Sequence, residues 1–442
     1  MLWIYRLLFL PALLVLSPRY LLRMRKRGGY GAHFSQRFGA HPRLPARGSN
    51  ATPRVWLQAV SVGEMLAIGP LLEGLHRDGI EVYLTTTTST GFMLANERYR
   101  GLTVGIGYFP VDWWWFSARA WTRIAPDLMI LTEGERWPEH LFQATRRGVP
   151  VLSINSRLSD RSFARMQRNQ AAARLMTRGI TRFLSVSAED SARLAALGVP
   201  PERITTTGNI KLDVRIPLLS SEDRTQLRGE LGLVEPLVVL GSSTWPGEEA
   251  ALVQAWQVAR AAGVHCSLLI VPRHAERRAE IEQVMIAAGV RYHFRSRGSA
   301  PGAVDVAVAD TTGELRRLTQ LADVVFVGKS LGAHTEGQTP VEAAALGKPI
   351  LFGRGMSNFR DIARDLVKRG AAREVVDATQ LAELTLQLLQ NDAQRETLSL
   401  AATAWHRGNS GALSRTLDVV RAEMLAIGGG KRGLPGDSHR VA

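Results

Sequence analysis

Apolar and polar positions change rhythm along the chain in a way that predicts its elements. A first apolar run, Leu7 to Val15, is preceded by Leu2, Trp3, Ile4, Tyr5 and Arg6 and followed by Arg19, Arg23, Arg25, Lys26 and Arg27. From Val55 onward, short apolar runs alternate with amphipathic segments. Trp56 to Val60, Val82 to Thr85, Leu128 to Leu131, Val149 to Ile154 and Phe183 to Val186 read as strands, and Leu66 to His76 as a helix. This βαβ alternation predicts a parallel sheet covered by helices. Gly208 to Glu235 interrupts it with Asn209, Pro217, Ser220, Ser221 and several charges. The rhythm restarts with Val238 to Gly241, Ser267 to Val271, Asp305 to Ala309, Val324 to Val327 and Ile350 to Phe352. Helical periodicity follows from Leu381 to Leu389 and from Leu413 to Ile427, before a glycine run and a polar basic tail. The expected organisation is a membrane anchor with a basic flank (1–27), an α/β domain (28–215), a second doubly wound α/β domain (216–427) and a disordered tail (428–442). Ligands of open α/β sheets bind beyond the carboxyl ends of the strands, so site residues are expected just after strands, and two facing domains would enclose a cleft.

Composition agrees with two soluble domains. A chain of 442 residues exceeds what one core usually supports, and 45% hydrophobic residues with a mean hydropathy of −0.04 exclude a disordered polymer and a polytopic membrane protein. The N-terminal run falls short of the roughly 17 to 25 apolar residues of a bilayer span unless Arg6 snorkels and Pro11 is tolerated. An interfacial or barely spanning anchor is expected, with the basic cluster holding the rest of the chain in the cytoplasm. A buried first helix with a solvated basic end is the alternative. No small-residue cleavage site supports a removed signal peptide. Fifty-five Lys and Arg against 40 Asp and Glu leave a charge of +15, which suits a phosphate-bearing ligand, nucleic acid or an acidic membrane surface. The single Cys266 allows neither an internal disulfide nor a cysteine metal cluster and points to a reducing compartment. The ten histidines show no H-E-x-x-H spacing, so no protein-held metal is expected, and no zinc-finger spacing or RNP-type strand supports nucleic-acid binding.

Several motifs follow predicted strands. Ser61-Val62-Gly63-Glu64 has the form of a capping box, with Ser61 capping a helix and Glu64 reaching back. Thr311-Thr312-Gly313-Glu314 and Thr339-Pro340-Val341-Glu342 share that form, the last with Pro340 at the first helical position. Each is structural on local chemistry, yet a helix N-terminus at a strand end also suits an anion. Arg273, after Val271-Pro272, can clamp a phosphate or pair with Glu276 or Glu280 on the surface. Gly328-Lys329-Ser330 fails as a P-loop because Asp323 stands where the first glycine is required. The run Asp112-Trp113-Trp114-Trp115-Phe116 is read first as core packing, with a place at a membrane interface as the alternative.

Taken together, the motifs resemble the Kdo transferases, which move 3-deoxy-D-manno-octulosonic acid (Kdo) from CMP-Kdo to a lipid A precursor. The resemblance spans nearly the whole chain. It runs through Gln36-Arg37-Phe38-Gly39, Ala59 to Glu64, Thr85 to Gly91, Tyr108 to Asp112, Glu133-Gly134-Glu135-Arg136-Trp137-Pro138, Asn155 to Ser159 and Gly208 to Asp213. It continues through Pro272-Arg273-His274, Gly313-Glu314-Leu315, Pro340 to Pro349 and Asn358-Phe359-Arg360.

The resemblance implies a glycosyltransferase B-type fold, with acceptor on the first domain and CMP-sugar on the second. It implies Glu64 as general base, with Glu133 and Lys211 supporting the transition state. It assigns CMP binding to Pro272, Arg273, Thr312, Gly313, Glu314, Thr339 and Glu342. It further implies inversion at the anomeric carbon, no metal or cofactor beyond the donor CMP-Kdo, a lipid A precursor as acceptor, and work at the cytoplasmic face of the anionic inner membrane in lipopolysaccharide assembly. Departures from the family pattern fall beside the expected cleft. Gln338-Thr339-Pro340 replaces His-Asn-Pro, Thr244-Trp245-Pro246-Gly247 replaces Thr-His-Glu-Gly, and Gln58, Gly134 and Glu139 replace His, Thr and Asn. A related transferase using another nucleotide sugar and a non-catalytic protein of acidic membranes are the competing readings.

Overall fold

The computed structural model of the protein describes residues 1–26, 31–45 and 52–432. The chain forms two units, Met1–Asp213 with Gly411–Ala442, and Val214–Ser410.

The first unit is built on seven parallel strands: β1 (Arg54–Gln58), β2 (Glu81–Thr86), β3 (Gly105–Tyr108), β4 (Leu128–Thr132), β5 (Val151–Ser156), β6 (Arg182–Ser185) and β7 (Ile204–Thr206). Their order is β3-β2-β1-β4-β5-β6-β7. Every residue of β1, β4 and β5 is buried, because helices cover both faces of a parallel sheet. The order reverses between β1 and β4, the switch point where a crevice opens at the carboxyl ends.

The second unit repeats this plan with β8 (Leu237–Thr244), β9 (Cys266–Pro272), β10 (Tyr292–Phe294), β11 (Val306–Val308), β12 (Val324–Val327), β13 (Ile350–Gly353) and β14 (Ala372–Val375), again all parallel. The order is β10-β11-β9-β8-β12-β13-β14, so its switch point lies between β8 and β12. Its core gathers Leu252, Trp256, Leu268, Ile270, Phe294 and Phe326, among others. Cys266 is a free, buried cysteine.

The domain boundary falls at Asp213, inside the expected linker, but the end of the chain requires a correction. Residues 412–427, assigned from their position to the second domain, belong to the first unit. The helix Ala412–Arg432 buries Ala412, Leu417, Val420 and Met424 in the same core as Leu71, Leu72 and Leu75. Gly74 permits this approach, since a Cβ there would meet Leu417 at 2.8 Å. The expected disorder from 428 is also corrected, because the helix runs through the glycines to Arg432; residues 433–442 lie outside the described set. The single helix expected over Leu66 to His76 is two, Val62–Ala67 and Gly69–Arg77, divided at Ile68.

The N-terminal segment is a helix, Leu2–Lys26, that contains Pro11 and Pro18; Arg27 lies outside the described residues. Among the described residues no helix is long and apolar enough to cross a membrane. One face of its first turns meets the first unit. Tyr5 donates to Asp112 at 2.6 Å, and Arg6 binds the fully buried Glu139 at 2.8 and 3.0 Å. Trp3, Leu7, Leu8, Leu14 and Val15 stay exposed. Trp114 and Trp115, expected first in the core, begin the helix Trp114–Ile124 and are exposed, whereas Asp112 beside them is buried. Asp112 accepts from the backbone N–H groups of Glu139 and His140 at the start of the helix Pro138–Arg146, and burial pushes its carboxyl up to about 6.

Candidate active site

Glu64 stands at the switch point of the first sheet. Ser61 caps the helix Val62–Ala67 through the Glu64 N–H, as expected, but the Glu64 carboxylate does not close the box on the Ser61 N–H. Its Oε2 accepts from the Val60 N–H at 3.0 Å and from the Thr132 hydroxyl at 2.6 Å, while Oε1 accepts from the Ser61 hydroxyl at 3.0 Å. Thr132 ends β4, so a side chain from across the switch point orients the carboxylate. Three donors fix the orientation of the Glu64 carboxylate, and it has no cationic partner among the described residues.

Glu133 and Lys211 meet beside it. Glu133 has φ 53° and Asn155 has φ 51°, left-handed backbone at the carboxyl ends of the neighbouring strands β4 and β5. Non-glycine residues held there carry strain of a kind that concentrates at functional sites. The turn at Glu133 aims its carboxylate at two cations: Lys211, in direct ion-pair contact, and Arg157 at 2.9 Å. Lys211 sits on the 3-10 turn Ile210–Leu212, which Asn155 anchors by accepting the Ile210 N–H at 3.1 Å. The three residues expected to carry catalysis therefore converge from segments about 70 residues apart in sequence.

Two neighbours went unassigned in the sequence. Glu135 accepts from the Trp137 indole at 2.6 Å, and burial, assisted by the negative charges of Glu64 and Glu133, pushes its carboxyl up to about 7. Burial also lowers the Arg136 guanidinium to about 10. Both lie within the Glu133 to Pro138 motif, but no spacing rule separates a proton-retaining carboxyl from an ionised one. Of the departures in this unit, Gln58 is buried and accepts from Thr85 at 2.8 Å, Gly134 is exposed, and Glu139 holds the N-terminal helix through Arg6.

In the second unit the residues expected to hold CMP lie at or beyond the carboxyl ends of strands. Pro272 ends β9 and Arg273 follows it, exposed. The alternative surface pair is corrected: Glu276 pairs with His274 and Glu280 with Arg277, and no described side chain pairs with Arg273. The expected helix N-terminus at Thr311 to Glu314 is also corrected. The helix there, Leu315–Leu318, has four residues and starts after Glu314, because Gly313 takes φ 86° and breaks the turn. Glu314 binds Arg295 through two hydrogen bonds of 2.8 Å and touches the Thr311 hydroxyl, leaving Thr312 and Gly313 exposed. Pro340 occupies the cap position of the helix Val341–Ala345 rather than its first turn, and Thr339 accepts the Val341 N–H at 3.3 Å. Glu342 lies 3.6 Å from Arg316, joining the segment after β11 to that after β12.

The switch point of the second sheet carries a cluster at the departure Trp245-Pro246 and at Lys329, whose segment fails as a P-loop. Lys329 Nζ lies 4.1 Å from the Trp245 ring centre, the rings of His274 and His334 approach the same indole, and Glu336 pairs with the ammonium at 3.3 Å. Ser243 and Lys329 take φ values of 56° and 58° at the ends of β8 and β12. Glu248 holds the arrangement by accepting four backbone N–H groups, from Trp245, Lys329, Ser330 and Leu331.

Residues 32–214 match the family model of the 3-deoxy-D-manno-octulosonic-acid transferases (kdotransferase). The 3-deoxy-D-manno-octulosonic acid transferase of Bordetella pertussis is 38% identical over 410 residues, 90% of this chain and 94% of that protein. The transferase of the same name from Haemophilus influenzae is 30% identical over 94% of each chain. Among solved structures, UDP-GlcNAc 2-epimerase from Neisseria meningitidis superposes with a TM-score of 0.54 at 13% identity, covering 84% of this chain and all of that one, a likeness of fold alone. Identity sustained along nine-tenths of the length, through motifs whose side chains meet at the strand ends, places the chain in the 3-deoxy-D-manno-octulosonic acid transferase family, a family of glycosyltransferases.

Proposed function

We propose that the protein transfers Kdo from CMP-Kdo to a lipid A precursor with inversion at the anomeric carbon, Glu64 acting as general base. The observation that carries this reading is the Glu64 carboxylate, oriented by Val60, Ser61 and Thr132 beside the Glu133–Lys211 pair. The acceptor hydroxyl gives its proton to Glu64 as its oxygen bonds to the anomeric carbon. On the opposite face the bond from that carbon to the phosphate oxygen breaks, and CMP leaves with the electron pair. A single displacement of this kind inverts configuration. Glu133 and Lys211 act in this reading through the charge they present to the developing transition state, an electrostatic contribution that is commonly the largest. Arg273, with no ionic partner among the described residues, is suited to the departing phosphate, with Pro272, Thr312, Gly313, Glu314, Thr339 and Glu342 contributing to the CMP site. No metal or cofactor enters these steps.

Labelled transfer by the intact protein and by Glu64→Gln tests the reading. The variant should lose about 10² to 10⁴ in kcat while retaining its fold; activity within a few-fold of the original would remove Glu64 as base. The Trp245–Lys329 cluster favours a second reading, in which another nucleotide sugar is the donor. Inhibition by UDP or GDP rather than CMP would establish it. We assign the work to the cytoplasmic face of the inner membrane, from the exposed apolar residues of the helix Leu2–Lys26 and the exposed Trp114 and Trp115. Co-sedimentation with anionic vesicles, weakened by salt and by Trp114→Ser/Trp115→Ser, is the expected result.

A further inference from the structure

The second unit contains a cavity of about 790 Å³ that none of the assigned residues lines. It opens at the carboxyl ends of β12, β13 and β14, and four cationic side chains line it: Arg354, Arg360, Arg364 and Lys368. Three of these lie at four-residue intervals on the helix Arg360–Lys368, a spacing that puts them on one face. Among the described residues Arg360, Arg364 and Lys368 have no ion-pair or hydrogen-bond partner, and Arg354 has a single distant one, Glu374 at 3.5 Å. Glu374 is the one carboxylate among the lining residues, so the Arg and Lys side chains bring four positive charges against one negative.

The wall is built and held. The loop after β12 and the loop after β13 are joined by backbone hydrogen bonds from Gly355 to Ser330, Ser357 to Thr335 and Asn358 to Glu336, each 2.9 Å. Glycine is required at two places in this seam: a Cβ on Gly353 or Gly355 would fall on the carbonyl oxygen of Ser330 or His334. The loop that forms one wall also carries Lys329 at its start and leads to Thr339 at its end, so the cavity adjoins the segments proposed to hold the nucleotide.

We propose that this cavity is the subsite for the sugar of the donor and that its arginines read a negatively charged group on that sugar, a carboxylate in the case of Kdo. This deepens the functional reading above and rests on it. Free cations facing a preformed cavity have no counter-charge until an anion arrives, and the planar guanidinium forks suit a carboxylate held by paired hydrogen bonds. The volume lies within the range of small-molecule sites, about 300 to 1,000 Å³.

Calorimetric titration of the full-length protein with free Kdo, Kdo methyl ester, CMP and inorganic phosphate tests the assignment, alongside Arg360→Gln/Arg364→Gln and Glu374→Gln. Kdo should bind the intact protein and lose about tenfold or more in affinity in the double variant, while CMP affinity changes less than about twofold. The methyl ester should bind weakly, and Glu374→Gln, which removes the opposing charge, should tighten Kdo binding. In transfer assays the double variant should raise the KM for CMP-Kdo more than it lowers kcat. Kdo binding that is absent, or equal in the intact protein and the double variant, overturns the subsite. So does phosphate that competes with Kdo at equal strength, since the cavity would then read any anion. Should the intact protein bind Kdo through these arginines but transfer none, the subsite stands and the proposed transfer from CMP-Kdo to a lipid A precursor falls.

Discussion

At the scale of the residue, four carboxylates of the first unit show how surroundings divide one chemical group into separate roles. Glu64 accepts three hydrogen bonds, Glu133 faces two cations, Glu139 faces Arg6, and Glu135 is half-buried near two other negative charges. Glu135 therefore holds its proton in the folded protein up to about pH 7, whereas an unfolded chain releases it near the ordinary value of 4.5. Between those values the folded state binds the extra proton, so stability falls as pH rises through the window, by at most about 3 kcal/mol. Urea unfolding of the intact protein and of Glu135→Gln at pH 5 and pH 8 should show the stability difference between them shifting against the intact protein as pH rises, a comparison that cancels the opposite contribution of the buried His41 and His140, whose imidazoles burial lowers to about 3. The local motif around Glu64 was legible because helix capping joins residues three apart in sequence. Thr132 was not, because its bond to Glu64 spans 68 residues and exists only once β1 and β4 lie side by side.

At the scale of the element, what was legible depended on burial. Ten strands were foreseen, and the four that were not, β3, β7, β10 and β14, are the two edges of each sheet. An edge strand is covered on fewer sides, so it is short and of mixed polarity: β3 is Gly105-Ile106-Gly107-Tyr108 and β14 is Ala372-Arg373-Glu374-Val375. The N-terminal helix illustrates the opposite difficulty. Its apolar run was plain, but its attachment to the body through Arg6 and Glu139 was not, since a buried ion pair leaves no pattern in the sequence. Arg6→Ala leaves the Glu139 carboxylate buried with only Gln143 as a side-chain donor, and should destabilise the first unit by about 3 kcal/mol. Proteolysis within residues 2–26 should quicken in that variant. Arg6→Ala/Glu139→Gln should recover most of the stability, because the uncompensated charge is gone; failure to recover would assign the effect to lost packing of Arg6 against Trp3 and Phe142.

At the scale of the whole molecule, the chain returns to its first unit after completing its second. The helix Ala412–Arg432 contributes Leu417, Val420 and Met424 to the first unit's core, each worth roughly 1.5 to 3 kcal/mol if fully buried. A chain ending at Ser410 should keep the thermal transition of the second unit and lose or sharply lower that of the first. Two calorimetric transitions that fall together would contradict the division. Alternating apolar runs and amphipathic segments determined two parallel α/β domains, since only helices on both faces can cover strands that are apolar throughout. The order and spacing of short motifs along nearly the whole chain carried the resemblance to the family, and the candidate base came with that resemblance, whereas local capping chemistry read Ser61 to Glu64 as structural. Tertiary structure alone decided which edge strands formed, which unit the last helix joined, that Thr132 orients Glu64, and that arginines from one helix line a cavity. Each of these depends on contacts between segments far apart in the chain, and sequence periodicity records which face of an element is apolar without recording what will cover it.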